Sequence, residues 1–360
     1  MLLRPGEIIM NHLAKIKIEG YKSIKQVELE IKNINILIGE NGAGKSNLMS
    51  IFDLIEAIRE YELQTYVNLQ GGMSSILYNG WKSTRNCYLE IFRDKYMFYS
   101  RISADNADTC FLSQQGVYDV AEGHNLYAAD GFRELKDDGV VKRLRLLDDI
   151  GVYHFHDTSV TSLMKANCDI NDNIELASDG RNIAAILYRI MQNDVETYQY
   201  IVRMVQLVAP YFKDFLLRVN PLKGEKIRLE WLKRECNMPF GAEHLSDGTL
   251  RFICIVTLLC LPEEMKKDVI CIDEPELGLH PSAITIITEL MKKYAHERQI
   301  IVATQSVEIV DSFEPGDIVV VDSCAGESKF RRLDEKELSD WLEDYTIGEL
   351  WRKNLIGGRP

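Results

Sequence analysis

A glycine-rich stretch at residues 39–46 limits the number of folds that this chain can adopt. Its sequence is GENGAGKS, which matches the phosphate-loop pattern G-x-x-x-x-G-K-[ST] at every fixed position. The apolar run at residues 35–38 precedes it, and residues 47–55 follow it with the apolar spacing of a helix. Because this motif binds phosphate between a strand and a helix, the flanking pattern favours a working site over a simple glycine turn.

The residue types of this loop predict its chemistry. Glycines let backbone N–H groups turn toward phosphate oxygens, and a helix N-terminus adds partial positive charge. Lys45 is predicted to reach the β- and γ-phosphates, and the Ser46 hydroxyl is predicted to bind Mg²⁺. The residues predicted to bind the nucleotide in this loop are Asn41, Gly42, Ala43, Gly44, Lys45, Ser46 and Asn47.

Composition and segment lengths indicate a soluble globular protein. The chain has 360 residues, of which 46% are hydrophobic and 27% are charged, which suits about one to three domains. The longest apolar run, residues 252–261, is too short to span a bilayer. The first residues lack the basic and apolar blocks of a signal peptide. We therefore predict a cytoplasmic protein with no membrane partner.

The distribution of charge along the chain indicates whether nucleic acid could be a partner. A net charge of −13 argues against a general polyanion binder. Residues 213–234 differ from the rest, because they contain seven basic and three acidic residues. A solvated helix or hairpin face is the favoured interpretation of this segment, and a surface that contacts DNA is the alternative.

Apolar periodicity predicts the remaining elements. Residues 14–31 have the alternation of an antiparallel hairpin, and residues 87–102 have that of a second hairpin. Residues 104–140 are rich in Asp, Gly and Asn, which predicts an irregular insertion, and residues 182–215 have a helical pattern. Strand, helix and strand alternate in the last third of the chain, which indicates a parallel α/β sheet.

The second half of the chain contains candidate catalytic acids. The apolar run 269–272 is followed by Asp273 and Glu274, so both acids stand at the end of a predicted strand. In a protein with a phosphate loop, Asp273 is predicted to reach the Mg²⁺ beside Ser46, and Glu274 is predicted to orient or polarise the attacking water. A strand that simply ends in a charged turn is the alternative interpretation.

A polar stretch before a buried helix completes a family resemblance. In Leu245-Ser246-Asp247-Gly248, Ser246 suits a helix N-cap and Gly248 permits close backbone approach. This stretch resembles the signature loop of ATP-binding-cassette ATPases. Residues 273–276 (DEPE) and 277–281 (LGLHP) resemble the Walker B motif and D-loop of the RecF/SMC/Rad50 branch, and residues 18–23 resemble the first hairpin of that branch.

The combination is similar to stand-alone RecF-like ATPases of the AAA_21 type, which are related to the ATPase half of OLD-family nucleases. The stretch LWRKNLIGGRP at residues 350–360 shares this resemblance. The resemblance implies an α/β fold, namely that of a P-loop NTPase of the ABC-ATPase (RecF/SMC head) type. It also implies an antiparallel β subdomain and a helical insertion. The implied segments are an ATPase head in two parts (1–157 and 236–325), a helical insert lobe (158–235) and a C-terminal helical tail (326–360).

In ATPases of this kind the signature loop acts on the nucleotide of a second copy. The resemblance implies a homodimer that encloses two ATP molecules, with Ser246 and Gly248 of one chain facing the γ-phosphate held by Lys45 of the other. ATP and Mg²⁺ are the implied cofactors. Glu274, Gln305 and Lys45 are the implied catalytic residues, and hydrolysis would release the dimer.

Two positions depart from the family pattern. The switch position that follows the predicted strand 300–303 is normally a histidine in this family, and here Gln305 takes that place. Glutamine can hydrogen-bond a phosphate but cannot carry its proton, so slow hydrolysis is expected. No Q-loop glutamine is evident, and His156 and Asp157 are the candidate Mg²⁺ contacts there. His154 and His156 share a strand face, where packing is favoured over a metal pair.

Three functions remain open from the sequence. The favoured one is a regulatory ATPase whose dimer controls a separate effector, such as a Toprim-like or nuclease protein, in phage defence or a toxin–antitoxin system. The second is a RecF-like clamp on DNA in repair, which only residues 213–234 support. The third is the nucleotide-binding subunit of a transporter, which the long insertion between Lys45 and the signature disfavours.

Overall fold

The computed structural model of the chain describes residues 12–105, 109–132, 146–219, 224–236 and 238–359. The chain forms two compact units, each assembled from separated segments. Unit 1 comprises Met1–Ile150, Pro315–Glu343 and Leu350–Pro360, and unit 2 comprises Gly151–Glu314 and Asp344–Glu349. In the described part of the chain, no helix has the length and apolar character needed to cross a membrane.

The elements are numbered here in chain order. The strands are β1 (Leu13–Tyr21), β2 (Ile24–Glu30), β3 (Ile34–Ile38), β4 (Asn86–Arg93), β5 (Tyr96–Ala104), β6 (Cys110–Asp119), β7 (His124–Phe132), β8 (Ile150–Tyr153), β9 (Cys168–Asp169), β10 (Phe212–Phe215), β11 (Lys226–Ile227), β12 (Glu230–Lys233), β13 (Pro239–Gly241), β14 (Val269–Asp273), β15 (Gln299–Ala303), β16 (Ile318–Cys324) and β17 (Glu327–Arg332). The helices are α1 (Lys45–Arg59), α2 (Leu63–Leu69), α3 (Met73–Ile76), α4 (Ile183–Asn193), α5 (Val195–Val208), α6 (Asp247–Leu259), α7 (Pro281–Ala295), α8 (Val307–Val310), α9 (Glu335–Leu342) and α10 (Ile347–Arg352).

Unit 1 contains a six-stranded antiparallel sheet in the order β2-β1-β4-β5-β6-β7. Its strands alternate buried apolar residues with polar ones, and the buried residues face each other across strands, as Ile16 does with Ile91 and Ile18 with Leu89. This pairing buries one face of the sheet and fixes its register, because a slip by one residue would expose that whole face. The predicted hairpins and the antiparallel β subdomain are confirmed.

The prediction of an irregular insertion at residues 104–140 is wrong where the structure describes it. Strands β6 and β7 occupy most of this stretch and pair with each other from Leu112 to Asp119. Polar side chains obscured the pattern, because some of them point inward: Gln115 is fully buried and its Nε2 donates to the Tyr127 hydroxyl at 3.3 Å. A buried amide with a partner is tolerated in a strand and disrupts the simple apolar alternation.

Unit 1 also contains the strand that leads into the phosphate loop. β3 pairs in parallel with β16, which pairs in antiparallel fashion with β17. Residues 35–38 of β3 are fully buried. Helix α1 buries an apolar face that includes Leu48, Phe52 and Ile55. β17 lies within residues 326–360, so the prediction of a helical tail does not hold for residues 327–332, and helices α9 and α10 follow them.

Unit 2 contains the predicted parallel strand pair. β14 and β15 run parallel with Asp273 opposite Ala303, and α7 connects them. Apart from Asp273, both strands are buried throughout, which explains their continuous apolar sequences. Helices α4 and α5 occupy the predicted helical stretch from residue 182, but residues 212–215 form β10 instead, where Phe212 and Phe215 point into the core. The helix prediction is wrong at that end, because the chain leaves the helix before Pro210.

Candidate functional site

The phosphate loop of unit 1 has the predicted strand–loop–helix geometry. β3 ends at Ile38, and α1 begins at Lys45 after Gly44, whose φ of 117° is left-handed. No side chain of the described residues caps α1, and the partial positive charge of its N-terminus suits an anion. Asn41, Gly42 and Ser46 are exposed at this loop, as residues that contact a bound nucleotide must be.

The ammonium of Lys45 lies inside the loop. Lys45 is buried, and its Nζ donates to the carbonyl oxygens of Gly39 at 2.5 Å and Glu40 at 3.1 Å. A Cβ added at Gly42 would meet no atom within 4 Å, so the loop is open on that side. A buried cation, uncapped N–H groups and an open concave backbone fit the phosphates of a nucleotide.

Two serines that the sequence did not single out support the back of the loop. Ser328, on β17, is 1% exposed, and its Oγ donates to the Ala43 carbonyl at 2.5 Å and lies 2.6 Å from the Ser23 Oγ. A Cβ at Gly44 would lie 2.1 Å from the Ser328 Oγ, so only glycine fits there. Asn47, a predicted nucleotide contact, donates its amide to the Ser23 Oγ at 2.6 Å. Asn47 therefore helps to hold the loop in place through Ser23.

In unit 2, the second acid after β14 meets the switch glutamine. The Glu274 backbone has a φ of 44°, a left-handed conformation that costs a non-glycine residue about 1–3 kcal/mol. Its N–H donates to the Ala303 carbonyl at 2.8 Å, which fixes the turn. The Gln305 Nε2 donates to the Glu274 Oε1 at 2.5 Å. Two residues that are 31 positions apart and were predicted as catalytic are thus in direct contact.

A third glutamate holds the switch backbone. The Glu276 Oε1 accepts hydrogen bonds from the Thr304 Oγ1 and from the Gln305 N–H, both at 2.7 Å. Its Oε2 is buried and has no hydrogen-bond partner among the described residues. Burial raises the pKa of Glu276, and the two hydrogen bonds oppose that shift only in part. In the sequence, the only signal for Glu276 is its place in the DEPE motif, which does not by itself predict this role.

The signature stretch caps α6 and packs against the D-loop within unit 2. The Ser246 Oγ accepts the Thr249 N–H at 3.1 Å, which confirms Ser246 as an N-cap. A Cβ at Gly248 would lie 2.3 Å from the Gly278 carbonyl oxygen, so glycine is required for this approach. Ser246 itself is exposed, which leaves it accessible to another molecule.

The strand end that was compared with a Q-loop contacts the Walker B backbone. The His156 Nε2 lies 2.9 Å from the Asp273 carbonyl oxygen. Arg251, one turn into α6, donates to the carbonyls of Phe155 at 3.1 Å, His156 at 2.7 Å and Leu277 at 2.9 Å. Arg251 therefore ties the signature helix to both the Q-loop position and the D-loop.

The histidine and aspartate candidates for Mg²⁺ have other contacts. The rings of His154 and His156 are 6.1 Å apart and meet edge to face. The Asp157 carboxylate accepts hydrogen bonds from Ser159, which lower its pKa. Among the described residues, no group of three or more His, Cys, Asp or Glu side chains could hold a metal ion. Ser46 belongs to unit 1 and Asp273 to unit 2, and their shared role at Mg²⁺ stays a prediction.

Comparison with protein families identifies the chain. Residues 126–311, just over half of it, match the model described as "AAA domain, putative AbiEii toxin, Type IV TA system". The chain belongs to the AAA_21 family. Residues 12–97, which include the phosphate loop, match a second model, AAA_15, described as an AAA ATPase domain. A search of the curated proteins finds no match.

Solved structures similar to this AAA_21 chain include heads of SMC proteins. One is an SMC head bound to the C-terminal winged-helix domain of ScpA, with a TM-score of 0.57, 16% identity, and coverage of 91% of this chain and 99% of that one. Another, from Pyrococcus furiosus, is an SMC head with an extended coiled coil bound to the C-terminal domain of ScpA, with a TM-score of 0.59, 15% identity, and coverage of 92% and 99%. These similarities confirm the predicted fold class, an ABC-type ATPase head of the RecF/SMC kind.

The buried glutamate of this AAA_21 site predicts a pH-dependent stability. Because its native-state pKa is raised above the ordinary value of 4.5, ionisation of Glu276 opposes folding as the pH rises through that range. Glutamine cannot ionise, and its oxygen can accept both switch hydrogen bonds. We expect Glu276→Gln to raise the melting temperature by roughly 2 °C at pH 7.5 and to lose this advantage near pH 4.5.

Calorimetric melting at both pH values checks this prediction. The exposed Glu297 on the same unit provides the control substitution, Glu297→Gln, which is expected to leave the melting temperature unchanged. A lower melting temperature for Glu276→Gln at pH 7.5 would show that the charge of Glu276 stabilises the switch segment.

Proposed function

We propose that this chain binds and slowly hydrolyses ATP with Mg²⁺, that two copies close around two ATP molecules, and that the ATP-bound dimer controls a separate effector protein. The observation that carries the proposal is the direct contact between Glu274 and Gln305 at the end of β14, in a chain whose phosphate loop holds Lys45 inside it. The membership of the AAA_21 family supports the same function.

The residues have distinct proposed roles. Lys45 and the N–H groups of the loop bind the β- and γ-phosphates. Ser46 and Asp273 would hold Mg²⁺, which neutralises phosphate charge when bound. The Glu274 carboxylate orients the attacking water and accepts its proton, and Gln305 keeps that carboxylate in place through its amide. Because an amide cannot take up a proton, Gln305 supports slow turnover.

The exposed signature serine supports the dimer. Gly248 is closed against the D-loop, whereas Ser246 is exposed at the N-terminus of α6, where a phosphate of a second copy's ATP would be favoured. ATP would then stabilise only the closed dimer and act as a switch. A dimer that forms and opens in this way presents an effector with two distinct surfaces.

The comparisons support the biological context of the proposal. The AAA_21 description names the AbiEii toxin and a type IV toxin–antitoxin system, and the similar SMC heads were solved with a bound partner protein. We therefore propose a partner effector, such as a Toprim-like or nuclease protein, in phage defence or toxin–antitoxin control, within the cytoplasm.

The contacts of residues 213–234 weaken the case for DNA as a ligand. Arg218 and Arg228 both bond to Glu230, at 3.1 and 2.6 Å, and Lys226 lies 3.5 Å from Asp169. Lys223 of this segment lies outside the described residues. Three of the seven basic side chains therefore have acidic partners within the protein, which lowers the net positive charge that this segment offers to a phosphate backbone.

The dimer is tested by blocking the signature position. We expect the native protein to be a dimer with ATP–Mg²⁺ and a monomer without it, as measured by light scattering after size exclusion. Ser246→Arg is expected to remain monomeric with ATP, because a long side chain fills the space of the second copy's γ-phosphate, while its ATP affinity as a monomer stays within about threefold. Ser339→Arg, at an exposed serine of α9, is the matched control. An ATP-dependent dimer of Ser246→Arg would contradict the proposed geometry.

A further inference from the structure

The C-terminal segment of unit 1 folds into a closed loop, residues 351–358. Trp351 is fully buried, and its indole Nε1 donates to the Gly358 carbonyl. The N–H of Leu355 donates to the Leu350 carbonyl at 2.9 Å, which reverses the chain after α10. Asn354, Gly357 and Gly358 have φ values of 54°, 79° and 59°, so three left-handed residues shape this C-terminal loop.

Side chains from the neighbouring strands hold the C-terminal loop. The Asp322 Oδ1, on β16, accepts the Gly358 N–H at 2.7 Å. The Arg331 guanidinium, on β17, donates to the Ile356 carbonyl at 2.8 Å. The two polar groups bind backbone atoms, so they fix the path of the chain irrespective of which side chains it carries. An isolated surface tail would have no such set of anchors.

The anchored C-terminal loop lies directly against the start of the phosphate loop. A Cβ on Gly358 would lie 3.3 Å from the Gly39 Cα, 3.4 Å from the Ile38 carbonyl oxygen and 2.8 Å from the Val320 Cγ1. Gly39 is the first residue of the phosphate loop, and its carbonyl accepts the Lys45 ammonium. A continuous set of contacts thus leads from Trp351 through Gly358 and Gly39 to Lys45.

We propose that the C-terminal loop is a positioning element of the nucleotide site, which holds Gly39 so that Lys45 and the phosphate loop are ready for ATP. This inference rests on the proposed binding of ATP at residues 39–46. A displaced Gly39 moves the carbonyl that orients the Lys45 ammonium, and a shift of about 1 Å in such a group is enough to lose most of its benefit. The C-terminal loop therefore acts on the nucleotide through the protein, without touching it.

Two glycine substitutions separate this role from general stability. Gly358→Ala places a methyl group 2.8 Å from the Val320 Cγ1 and 3.3 Å from the Gly39 Cα, at a left-handed residue. Gly326→Ala introduces the same kind of left-handed alanine in the β16–β17 turn, where φ is 81° and a Cβ would meet no atom within 4 Å. We expect Gly358→Ala to weaken ATP–Mg²⁺ binding about tenfold by titration calorimetry. Gly326→Ala is expected to bind ATP like the native protein and to lose some melting temperature through its left-handed alanine, so it controls for backbone strain.

A second readout needs no nucleotide. Amide hydrogen exchange of the nucleotide-free protein is expected to accelerate in residues 36–49 of Gly358→Ala and to stay native in Gly326→Ala. Arg331→Ala serves as a second variant in case Gly358→Ala does not fold. Arg331 is exposed, and its loss removes the hydrogen bond to the Ile356 carbonyl, so we expect the same acceleration of exchange in residues 36–49. Equal affinity or equal exchange in Gly358→Ala and Gly326→Ala, or native values in Arg331→Ala, would overturn the inference.

The controls distinguish the inference from the function on which it rests. If the native protein binds no ATP, the proposed function fails, and the exchange of residues 36–49 still reports whether the C-terminal loop positions the phosphate loop. If the native protein binds ATP and Gly358→Ala binds it equally well, only the positioning role fails.

Discussion

Lys45→Ala is expected to abolish measurable ATP binding. The Lys45 ammonium is buried inside the phosphate loop, where a phosphate would accept its charge-assisted hydrogen bonds in place of the carbonyls of Gly39 and Glu40. Each such bond contributes about 1.5–3 kcal/mol, so the loss of contacts to two phosphates weakens binding at least about a hundredfold. Titration calorimetry with ATP–Mg²⁺ measures this directly.

A matched lysine and a stability check complete the Lys45 experiment. Lys25, on β2 of the same unit, is exposed, and Lys25→Ala is expected to bind ATP like the native protein. The melting temperature of nucleotide-free Lys45→Ala shows whether its loop is still formed. Native ATP affinity in a folded Lys45→Ala protein would move the nucleotide away from residues 39–46.

Glu274→Gln is expected to reduce ATP turnover by about 10²–10⁴-fold and to trap an ATP-bound dimer. Glutamine is nearly isosteric and its oxygen still accepts the Gln305 amide, so the contact between the two residues survives. It cannot accept a proton from water, which removes the proposed general base. Phosphate release measures turnover, and light scattering with and without ATP–Mg²⁺ measures the dimer.

The outcomes of the Glu274→Gln experiment are distinct. Glu289, exposed on α7, gives the control Glu289→Gln, which is expected to retain native turnover. Unchanged turnover in Glu274→Gln would remove Glu274 from the catalytic role. A mass that ATP does not change would mean a constitutive assembly or no engagement of two copies, and the proposed switch would lose its mechanism.

Local sequence patterns were sufficient to predict the parts of the candidate site that are contiguous in the chain. The pattern of the phosphate loop is sufficient because its glycines, Lys45 and Ser46 stand at fixed spacings between a strand and a helix. Likewise, Ser246 is the N-cap of α6, and Glu274 follows directly after β14. In each case the residue type and its element boundary are set by neighbours only a few positions away.

The residues that support the site bind partners that are distant in sequence, and no local pattern shows which residues those partners are. The Ser328 hydroxyl meets the Ala43 carbonyl across 285 positions, and Glu276 binds the Gln305 N–H across 29. Such pairings depend on which strands become neighbours. The polar strands β6 and β7 were missed for a different reason, because buried polar partners such as Gln115 and Tyr127 break the apolar alternation.

The pairing of β3 with β16 has a consequence for the synthesis of this chain on the ribosome. Ile36 lies opposite Ile318, and a Cβ on Gly358 would lie 3.3 Å from the Gly39 Cα, so the edge of β3 that pairs with β16 has no partner until about 280 further residues have been made. The segment 151–314 of unit 2 emerges during that interval and is continuous, so it can begin to collapse first. A nascent chain of this kind leaves a largely apolar strand unpaired for most of its translation, so we expect it to bind chaperones during synthesis.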